Sequence, residues 1–432
     1  MQNKRRTFLT QALAGGLAAA AFPFSSCSSG ATKPGVGAPG LGAETLSTNY
    51  ARLDEALQQP VLKKELFSSP VIIESLELLR FKNNFLCRVR SKDGAEGIAV
   101  GNNDQLKALY PIFTERLQPF FIGKDARELE TLLEEVYVYK SNYKLQSLAI
   151  WVPLATIEFA ILDLLGQLSG QSMGQLIGDI HTPKVAVYQA NGERDNSAEE
   201  VLENLQRQVE ATQAKALKIK IGGRMSHPEF PAGRSEKLIP MVRKAFGDDM
   251  VMYADSNGSY GVEEAIRMGK LLEDYNYDFY EEPVPFDWYE ETKQVADALT
   301  IPVAGGEQEP SMHSFRWLIG NNALRIVQPD MFYFGGMVRS MRVARMAEAL
   351  GKECTPHISG SGLGFLYMMH FVSALPNAGP YHEFKEFNKE LPFECPTSTL
   401  QSEDGVITVP TGPGLGVMID PDYIKKHQTV VL

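Results

Sequence analysis

Short β-like apolar runs alternate with longer amphipathic segments through the second half of the chain. Eight such runs lie at 185–188, 217–221, 251–254, 277–280, 302–304, 324–327, near 354 and at 380–384. The segments between them have helical periodicity. Eight strands separated by helices are what a (β/α)-barrel requires. No glycine-rich phosphate-binding fingerprint follows the first run, which argues against a dinucleotide-binding sheet.

The first half of the chain has a different order of elements. Apolar runs at 71–78 and 85–89 predict two strands, and helical periodicity then recurs at 104–117, 126–140 and 149–168. Strands that precede helices indicate a small α+β domain. The predicted fold is therefore α/β, a modified TIM (β/α)-barrel with an N-terminal α+β capping domain.

Length and pattern together divide the chain into five parts. A chain of 432 residues suits a large barrel accompanied by a smaller domain. The five parts are a targeting segment at 1–27, a linker at 28–60, the capping domain at 61–180, the barrel at 181–400 and a C-terminal segment at 401–432 that packs back on the cap. The linker assignment rests on the Gly, Ser, Thr and Pro content of its first part.

The targeting segment has the pattern of an export signal. Arg5 and Arg6 stand in a stretch that resembles the twin-arginine motif, and an Ala/Gly-rich apolar run follows at 12–24. That run is too short for a comfortable membrane span. The sequence therefore predicts export to the periplasm, the alternative being a disordered start with a chance arginine pair. Cys27 follows Phe-Ser-Ser in a degenerate lipobox, so membrane attachment through a lipidated Cys27 is left open.

The charge balance excludes some classes of partner. The net charge of −11 and the pI near 5.3 argue against a nucleic-acid surface, which would need a basic stripe. A chain of this kind binds an anion only through local cations in a pocket. The four cysteines show no metal-ligand spacing and no disulfide framework.

Three acids follow successive predicted strands at equal intervals. Asp255, Glu281 and Glu307 are 26 residues apart in both steps, as three successive βα units would place them. Three carboxylates in one pocket would repel one another without a cation. Mg²⁺ takes a few carboxylates and leaves positions for substrate and water. The spacing predicts a magnesium site, whereas each acid taken alone would be read as a solvated loop residue.

Two lysines occupy alternate positions of the second predicted barrel strand. Because side chains alternate along a strand, Lys218 and Lys220 point to the same face, into the barrel mouth. A desolvated lysine beside another cation has a lowered pKa and acts as a base. We assign the base to Lys220, and to Lys218 the neighbouring charge and a contact with the substrate carboxylate. An edge strand with both lysines in solvent is the alternative.

A histidine and an aspartate follow the ends of two later strands. His357 precedes a loop of small residues, and Asp330 lies one strand earlier in the chain. An aspartate bonded to one ring nitrogen fixes the tautomer of a histidine and raises its basicity. This pattern predicts an acid–base dyad, with a simple helix cap as the alternative for Asp330.

Taken in order, these motifs resemble the mandelate racemase and acid-sugar dehydratase branch of the enolase superfamily. The resemblance rests on Lys218-x-Lys220, Asp255-x-Asn257, Tyr280-Glu281-Glu282-Pro283, Gly306-Glu307, Asp330 with Gly335-Gly336, and His357. It covers most of the chain from about residue 70 and implies an enolase-like fold.

The resemblance also implies a role for each site residue. Asp255, Glu281 and Glu307 would bind Mg²⁺, and Lys220 and the His357–Asp330 dyad would be bases on opposite faces of the substrate. Glu383 would hydrogen-bond the enediolate. Lys218, Asn257 and Glu383 are the expected substrate-binding residues.

The implied reaction removes the α-proton of a hydroxy carboxylate through an enediolate. Dehydration of an acid sugar to a 2-keto-3-deoxy acid is the favoured interpretation. A racemase or epimerase of a 2-hydroxy acid and a non-catalytic exported carbohydrate-binding lipoprotein are the alternatives. Cycloisomerases of the superfamily carry a lysine at the place of Asp330, which argues against that activity. A small carboxylate is the expected partner, and the chain is expected to form a symmetric homo-oligomer.

One feature departs from the family pattern. The substrate-specificity loop of the family lies between the first two strands of the cap, and here little more than residues 81–84 joins them. We therefore expect a site that is less covered, or covered by another segment.

Overall fold

The computed structural model describes residues 42–360, 362–384 and 391–431. All of them belong to one unit, which spans residues 37–432. The twin-arginine segment, Cys27 and the first part of the predicted linker lie outside the described residues.

Helices and strands follow one another in the predicted order. The capping region contains α1 (Ala43–Leu57), β1 (Ile73–Phe81), β2 (Asn84–Ser91), β3 (Glu96–Val100), α2 (Asn103–Ile112), α3 (Gln118–Phe121), α4 (Leu129–Val138), α5 (Leu148–Ser169) and α6 (Met173–Ile177). The barrel region contains β4 (Lys184–Ala190), α7 (Ala198–Thr212), β5 (Ala216–Lys220), α8 (Arg234–Phe246), β6 (Val251–Asp255), α9 (Val262–Asp274), β7 (Phe279–Glu281), α10 (Tyr289–Ala298), β8 (Val303–Gly305), α11 (Met312–Gly320), β9 (Ile326–Val327), α12 (Met337–Ala349), β10 (Glu353–Cys354), α13 (Gly364–Ser373) and β11 (His382–Glu383). The C-terminal region adds β12 (Phe393–Glu394), β13 (Val406–Thr408), β14 (Met418–Ile419), α14 (Pro421–Ile424) and β15 (Gln428–Thr429).

The eight predicted barrel strands are all present, as β4 to β11. They pair in parallel in the order β10-β9-β8-β7-β6-β5-β4-β11. A parallel bridge between Cys354 and Ala378 brings the chain before β11 back to β10, so the sheet curls on itself. The fold prediction is thus confirmed as a modified TIM barrel with a capping domain, and the carboxyl ends of the strands share one mouth.

The cap is built on an antiparallel sheet of β1, β2 and β3. The connection between β1 and β2 is a tight turn in which Lys82 has φ of 53°. The predicted short connection is therefore present, and this turn is not a loop long enough to cover the barrel mouth. The sequence prediction missed β3, which pairs with β2.

Helix α5 joins the cap to the barrel. It is the single helix among the described residues that is long and apolar enough to cross a membrane, yet 89% of its most apolar window is buried within the protein. Its Asp163 accepts hydrogen bonds from the backbone N–H groups of Ile98 and Leu415, both at 2.8 Å. A buried carboxylate in the middle of this helix therefore ties the cap sheet to the C-terminal segment.

The prediction of a linker over 28–60 is wrong for residues 43–57, because they form α1. This helix packs against α11 and α12 of the barrel. Arg316 pairs with Asp54 at 2.7 Å, and Tyr50 lies against Gly320. The sequence signal is weak because Leu53 is the only fully buried side chain of the helix.

The C-terminal segment contacts both regions. Strand β15 pairs antiparallel with β1 of the cap, whereas β13 pairs antiparallel with β4 of the barrel. Strand β15 and Leu415 therefore pack on the cap as expected, whereas β13 extends the barrel sheet.

Candidate active site

The ends of the barrel strands bring the predicted site residues to one mouth. Asp255, Glu281 and Glu383 are the last residues of β6, β7 and β11, and Lys220 is the last residue of β5. Three of these residues are in register on neighbouring strands, since Lys220 pairs with Asp255 and Asp255 pairs with Glu281. Parallel pairing therefore sets three of these side chains side by side.

The third predicted metal ligand is placed differently. Strand β8 pairs Ala304 with Glu281 and ends at Gly305, so Glu307 lies two residues beyond the strand. Gly306, with φ of 109°, turns the chain between them, and a Cβ there would lie 2.5 Å from the ring of Phe315. Equal sequence spacing therefore does not correspond to equal strand register.

Two lysines of β5 bind the acids of the neighbouring strands. Lys218 Nζ lies 2.7 Å from Oε2 of Glu281 and 3.8 Å from Oδ2 of Asp255. Lys220 Nζ bonds the same Oδ2 of Asp255. Lys218, Asp255 and Glu281 are each at most 1% exposed, so these are ion pairs out of contact with water. The two lysines share the face predicted for them, and Ile219 between them packs in the core.

Burial and charge shift the pKa values of this cluster. Burial raises the pKa of Glu281 and repulsion from Asp255 adds to it, so that it reaches about 7 despite Lys218. For Lys218, burial alone would lower the pKa, but the carboxylate of Glu281 and its other anionic neighbours raise it well above its usual range. Asp255, although buried, has a pKa held below its usual range by Lys220 and Lys218. Lys218 is thus the counter-ion of Glu281 here, a contact that the sequence did not predict.

The acids have the donor chemistry of a magnesium site. Three oxygen-donating carboxylates suit a hard cation, and Oε1 of the fully buried Glu281 has no hydrogen-bond partner among the described residues. As they stand, no three acidic, histidine or cysteine side chains in the described ranges are grouped as a complete metal site. The ammonium groups of Lys218 and Lys220 lie against Glu281 and Asp255. The donor set fits Mg²⁺.

The His357–Asp330 dyad is formed as the sequence predicted. His357 Nδ1 lies 2.6 Å from Oδ2 of Asp330. The other oxygen of Asp330 accepts the backbone N–H groups of Phe332 and Tyr333, both at 2.8 Å, and the Oγ–H of Ser359 at 3.1 Å. Asp330 therefore orders the following turn as well as the histidine, and it is not a helix cap, because the residue that precedes α12 is Gly336.

The second ring nitrogen of His357 faces the site. Its Nε2 lies 3.5 Å from Oε2 of Glu307 and 3.6 Å from Oε2 of Glu383. Burial alone would lower the pKa of His357, but Glu307, Asp330 and Glu383 raise it to about 9. Three carboxylates thus favour the protonated imidazole.

Asn257 joins the lysines to arginines that the sequence analysis did not identify. Its Oδ1 accepts from Lys220 Nζ at 3.4 Å, from Arg194 Nη2 at 2.7 Å and from Arg224 Nη2 at 3.5 Å. Its Nδ2–H donates to Glu282 Oε2 at 3.2 Å. Arg194 follows β4 and Arg224 follows β5, so their places after strand ends were the signal that could have identified them.

Comparison with known proteins shows the family of this chain. The family model described as Enolase C-terminal domain-like matches residues 200–423. A D-galactarolactone cycloisomerase of Agrobacterium fabrum is 29% identical over 318 residues, which cover 72% of this chain and 82% of that protein. An arabinonate dehydratase of Saccharolobus solfataricus is 26% identical over 348 residues, covering 79% and 89%.

A solved structure extends the likeness to three dimensions. The mandelate racemase/muconate lactonizing protein of Paracoccus denitrificans, crystallised in complex with magnesium, has a TM-score of 0.74 and 27% identity, and the match covers 84% of this chain and 99% of that one. The chain therefore belongs to the enolase superfamily, in its mandelate racemase and muconate lactonizing branch. It is an enzyme, a lyase or an isomerase, which sets aside the non-catalytic alternative.

The comparison does not support the argument against cycloisomerases. The exclusion rested only on Asp330, because a lysine was expected at that place in cycloisomerases. A relative named as a cycloisomerase nevertheless matches 72% of this chain.

Proposed function

We propose that this enzyme dehydrates an acid sugar to a 2-keto-3-deoxy acid with the help of Mg²⁺. The observation that supports the proposal is that Lys220 and His357, the two candidate proton-transfer groups, lie at one mouth. Lys220 ends the second barrel strand, and His357 follows the seventh. Between them lie Asp255, Glu281 and Glu307, the candidate metal ligands.

The chemical problem is the weak acidity of a hydrogen next to a carboxylate. Mg²⁺ held by the three acids supplies electrostatic stabilisation of the enediolate when it is bound. Lys218, which is buried beside Glu281, contacts the substrate carboxylate from the protein side. Glu383 donates a hydrogen bond to the enediolate in its protonated form, and Asn257 holds the substrate beside Lys220.

The two bases divide the proton transfers. One of them removes the α-proton from the face of the substrate that it meets. Protonated His357 then delivers its Nε2 proton to the β-hydroxyl group, the C–O bond breaks and water leaves. The enol that remains becomes the 2-keto acid when a proton is added at the β-carbon. Asp330 keeps Nδ1 of His357 engaged throughout, so that Nε2 is the nitrogen that exchanges protons.

Two other reactions use the same residues. Without a β-hydroxyl group, the opposite base returns a proton to the α-carbon and inverts it, which is racemisation. The likeness to a D-galactarolactone cycloisomerase favours a second candidate, proton abstraction followed by ring opening or closure.

Turnover of a panel of acid sugars separates these reactions. The purified enzyme with Mg²⁺ is incubated with aldonates, aldarates, their lactones and simple 2-hydroxy acids. A 2-keto-3-deoxy product, detected with semicarbazide, supports dehydration. Inversion without loss of water, read by polarimetry, would replace it with racemisation, and a new product isomeric with a lactone substrate would replace it with cycloisomerisation. If no compound reacts, the proposal fails.

We also propose where the enzyme works. The Arg5-Arg6 pair supports export to the periplasm, and Cys27 supports lipid attachment of the mature chain. Assembly into a symmetric homo-oligomer remains a proposal that sedimentation analysis can test.

A further inference from the structure

Three cations meet at a single neutral oxygen beside the proposed bases. Oδ1 of Asn257 accepts from Arg194 at 2.7 Å, from Lys220 at 3.4 Å and from Arg224 at 3.5 Å. An amide oxygen offers only a partial negative charge to these groups. Of the two carboxylates beside Asn257, Asp255 is already bonded by Lys220 and approached by Lys218, and Glu282 accepts from Nδ2 of Asn257 at 3.2 Å. Three cations therefore share this one neutral oxygen at one side of the mouth.

Neither arginine has an acid of its own. Within the described part of the chain, Arg194 and Arg224 form no ion pair with any carboxylate. Arg194 is half-buried, its Nη2 also reaches the carbonyl oxygen of Asp255 at 3.4 Å, and its buried Nε has no hydrogen-bond partner there. A buried guanidinium donor without an acceptor is costly unless a ligand supplies one.

Hydrogen bonds from Arg234 and to Ser259 fix the main chain beside both arginines. Arg234 is buried and donates to the carbonyl oxygens of Glu193 at 2.8 Å and of Lys220 at 3.1 Å, which fixes the residue before Arg194 against β5. Arg224 has φ of 77°, and its N–H donates to Ser259 Oγ at 2.7 Å. A non-glycine residue held in the left-handed region is a strained conformation of the kind that clusters at ligand sites. The side chain of Arg224 is exposed, so it is free to reach a ligand.

We propose that Arg194 and Arg224 form a subsite for a second carboxylate, so that the substrate is a dicarboxylic sugar acid. The first carboxylate of the substrate would contact Lys218 at the Mg²⁺ site formed by the three acids. The same carboxylate cannot also neutralise the two arginines. Guanidinium groups bind carboxylates through paired N–H donors, one to each carboxylate oxygen. A hydroxymethyl group has only one, uncharged oxygen and cannot accept such a pair. The inference rests on the proposed function, and it narrows the substrate from acid sugars in general to aldarates.

Matched pairs of acids test the subsite. Galactarate and galactonate, or glucarate and gluconate, differ only in whether the far end is a carboxylate or a hydroxymethyl group. With the full chain and Mg²⁺, the diacid should be favoured in kcat/KM by about tenfold or more, the usual effect of a hydrogen bond to a charged group. Arg194→Met and Arg224→Met should each lower the diacid-to-monoacid ratio, mainly through KM. Arg207→Met, on an exposed face of α7 near Glu203, should leave the ratio unchanged.

Binding separates failure of the subsite from failure of the proposed function. His357→Asn, which leaves the arginines intact, is titrated calorimetrically with each acid in the presence of Mg²⁺. Selective diacid binding that Arg194→Met abolishes supports the subsite, even if no acid sugar is turned over. Equal use of both classes, or equal losses for both in the arginine variants, overturns the subsite and leaves the dehydration proposal standing. A preference for 6-phosphogluconate over glucarate overturns the carboxylate in favour of a phosphate, and binding of neither class overturns both proposals.

Discussion

His357 and Asp330 come from neighbouring barrel units and meet through a 2.6 Å contact between Nδ1 and Oδ2. The main chains also form a parallel bridge at these two residues, so backbone pairing sets the side chains together. With Nδ1 occupied, Nε2 is directed toward Glu307 and Glu383. A strand-end contact therefore fixes which ring nitrogen of His357 faces the site.

Replacement of the aspartate tests this coupling. Asp330→Asn keeps the shape but removes the charge that orients and stabilises the protonated imidazole. We expect kcat to fall by about 10²–10⁴-fold, as for the loss of an acid or base, with a circular dichroism spectrum like that of the wild type. Ser359→Ala is the control, because it removes one bond to Asp330 and leaves the histidine contact intact. Wild-type turnover by Asp330→Asn would exclude the dyad.

The two bases are separable by isotope exchange. His357→Asn should keep exchange of an α-proton presented to Lys220 while losing turnover that needs the histidine, and Lys220→Ala should show the converse. Each affected reaction should fall by about 10²–10⁴-fold. Deuterium incorporation from heavy water, followed by proton NMR, reports on each face of the substrate. If both variants keep full exchange and full turnover, neither residue is a base.

Strand ends were predictable from the sequence because barrels place chemistry there. Lys220, Asp255 and Glu281 each fall at the last residue of a strand, so pattern alone located them. Side-chain partners were not predictable in the same way. The bond between Lys218 and Glu281 depends on two residues 63 positions apart facing one another in a closed sheet. Sequence spacing does not encode that contact.

Residues in loops were the harder part of the site. Glu307 lies beyond its strand because Gly306 turns the chain, and Arg194 lies in a connection without a periodic pattern. Helix α1 was missed for a related reason, since it buries little apolar surface and so gives a weak period. Contacts among irregular segments depend on the whole fold, so a place after a strand end marks Arg194 and Arg224 as candidates but does not show that they meet at Asn257.

Removal of a metal-ligand charge tests the Mg²⁺ site. In wild type, Mg²⁺ in millimolar excess should raise the melting temperature, because a ligand that binds only the folded state stabilises it. Glu281→Gln should lose most of that increase, since an amide keeps the shape without the charge. Exposed Glu210→Gln is the matched control and should respond as wild type does. If the melting temperature of the wild type is the same with and without Mg²⁺, the proposed Mg²⁺ site is wrong.

The export proposal has a direct cellular test. Arg5→Lys combined with Arg6→Lys keeps the charge but removes the arginine pair, so the precursor should stay in the cytoplasm. Cys27→Ala should release the mature protein from membrane fractions, as seen by fractionation and immunoblotting. Equal membrane association of wild type and Cys27→Ala would argue against the lipid anchor.

A buried acid of the cap binds the start of a barrel helix. Glu158 in α5 is fully buried, and its Oε1 accepts the backbone N–H of Val338 in the first turn of α12 at 2.9 Å. This contact explains why the second position of the Gly335-Gly336 motif is a glycine. Gly336 has φ of 109°, and a Cβ there would lie 2.1 Å from Oε2 of Glu158. Cap and barrel are thus joined by a carboxyl group that only glycine can accommodate.

This contact makes stability depend on pH in a defined direction. Burial raises the pKa of Glu158 from 4.5 to about 8, although the N–H of Val338 opposes the shift. Since the folded state holds the proton more tightly than the unfolded chain, the contribution of Glu158 is complete below about pH 4.5 and declines as the pH rises toward 8. Glu158→Gln mimics the protonated acid and cannot titrate. The free energy of unfolding of this variant, measured with urea, should therefore rise relative to that of wild type by about 3 kcal/mol between about pH 5 and about pH 7.5. Other buried acids, such as Asp163 with a pKa of about 6, titrate in both proteins and cancel in the difference. A difference that is constant across this range would show that Glu158 is ionised, or equally protonated, in both states.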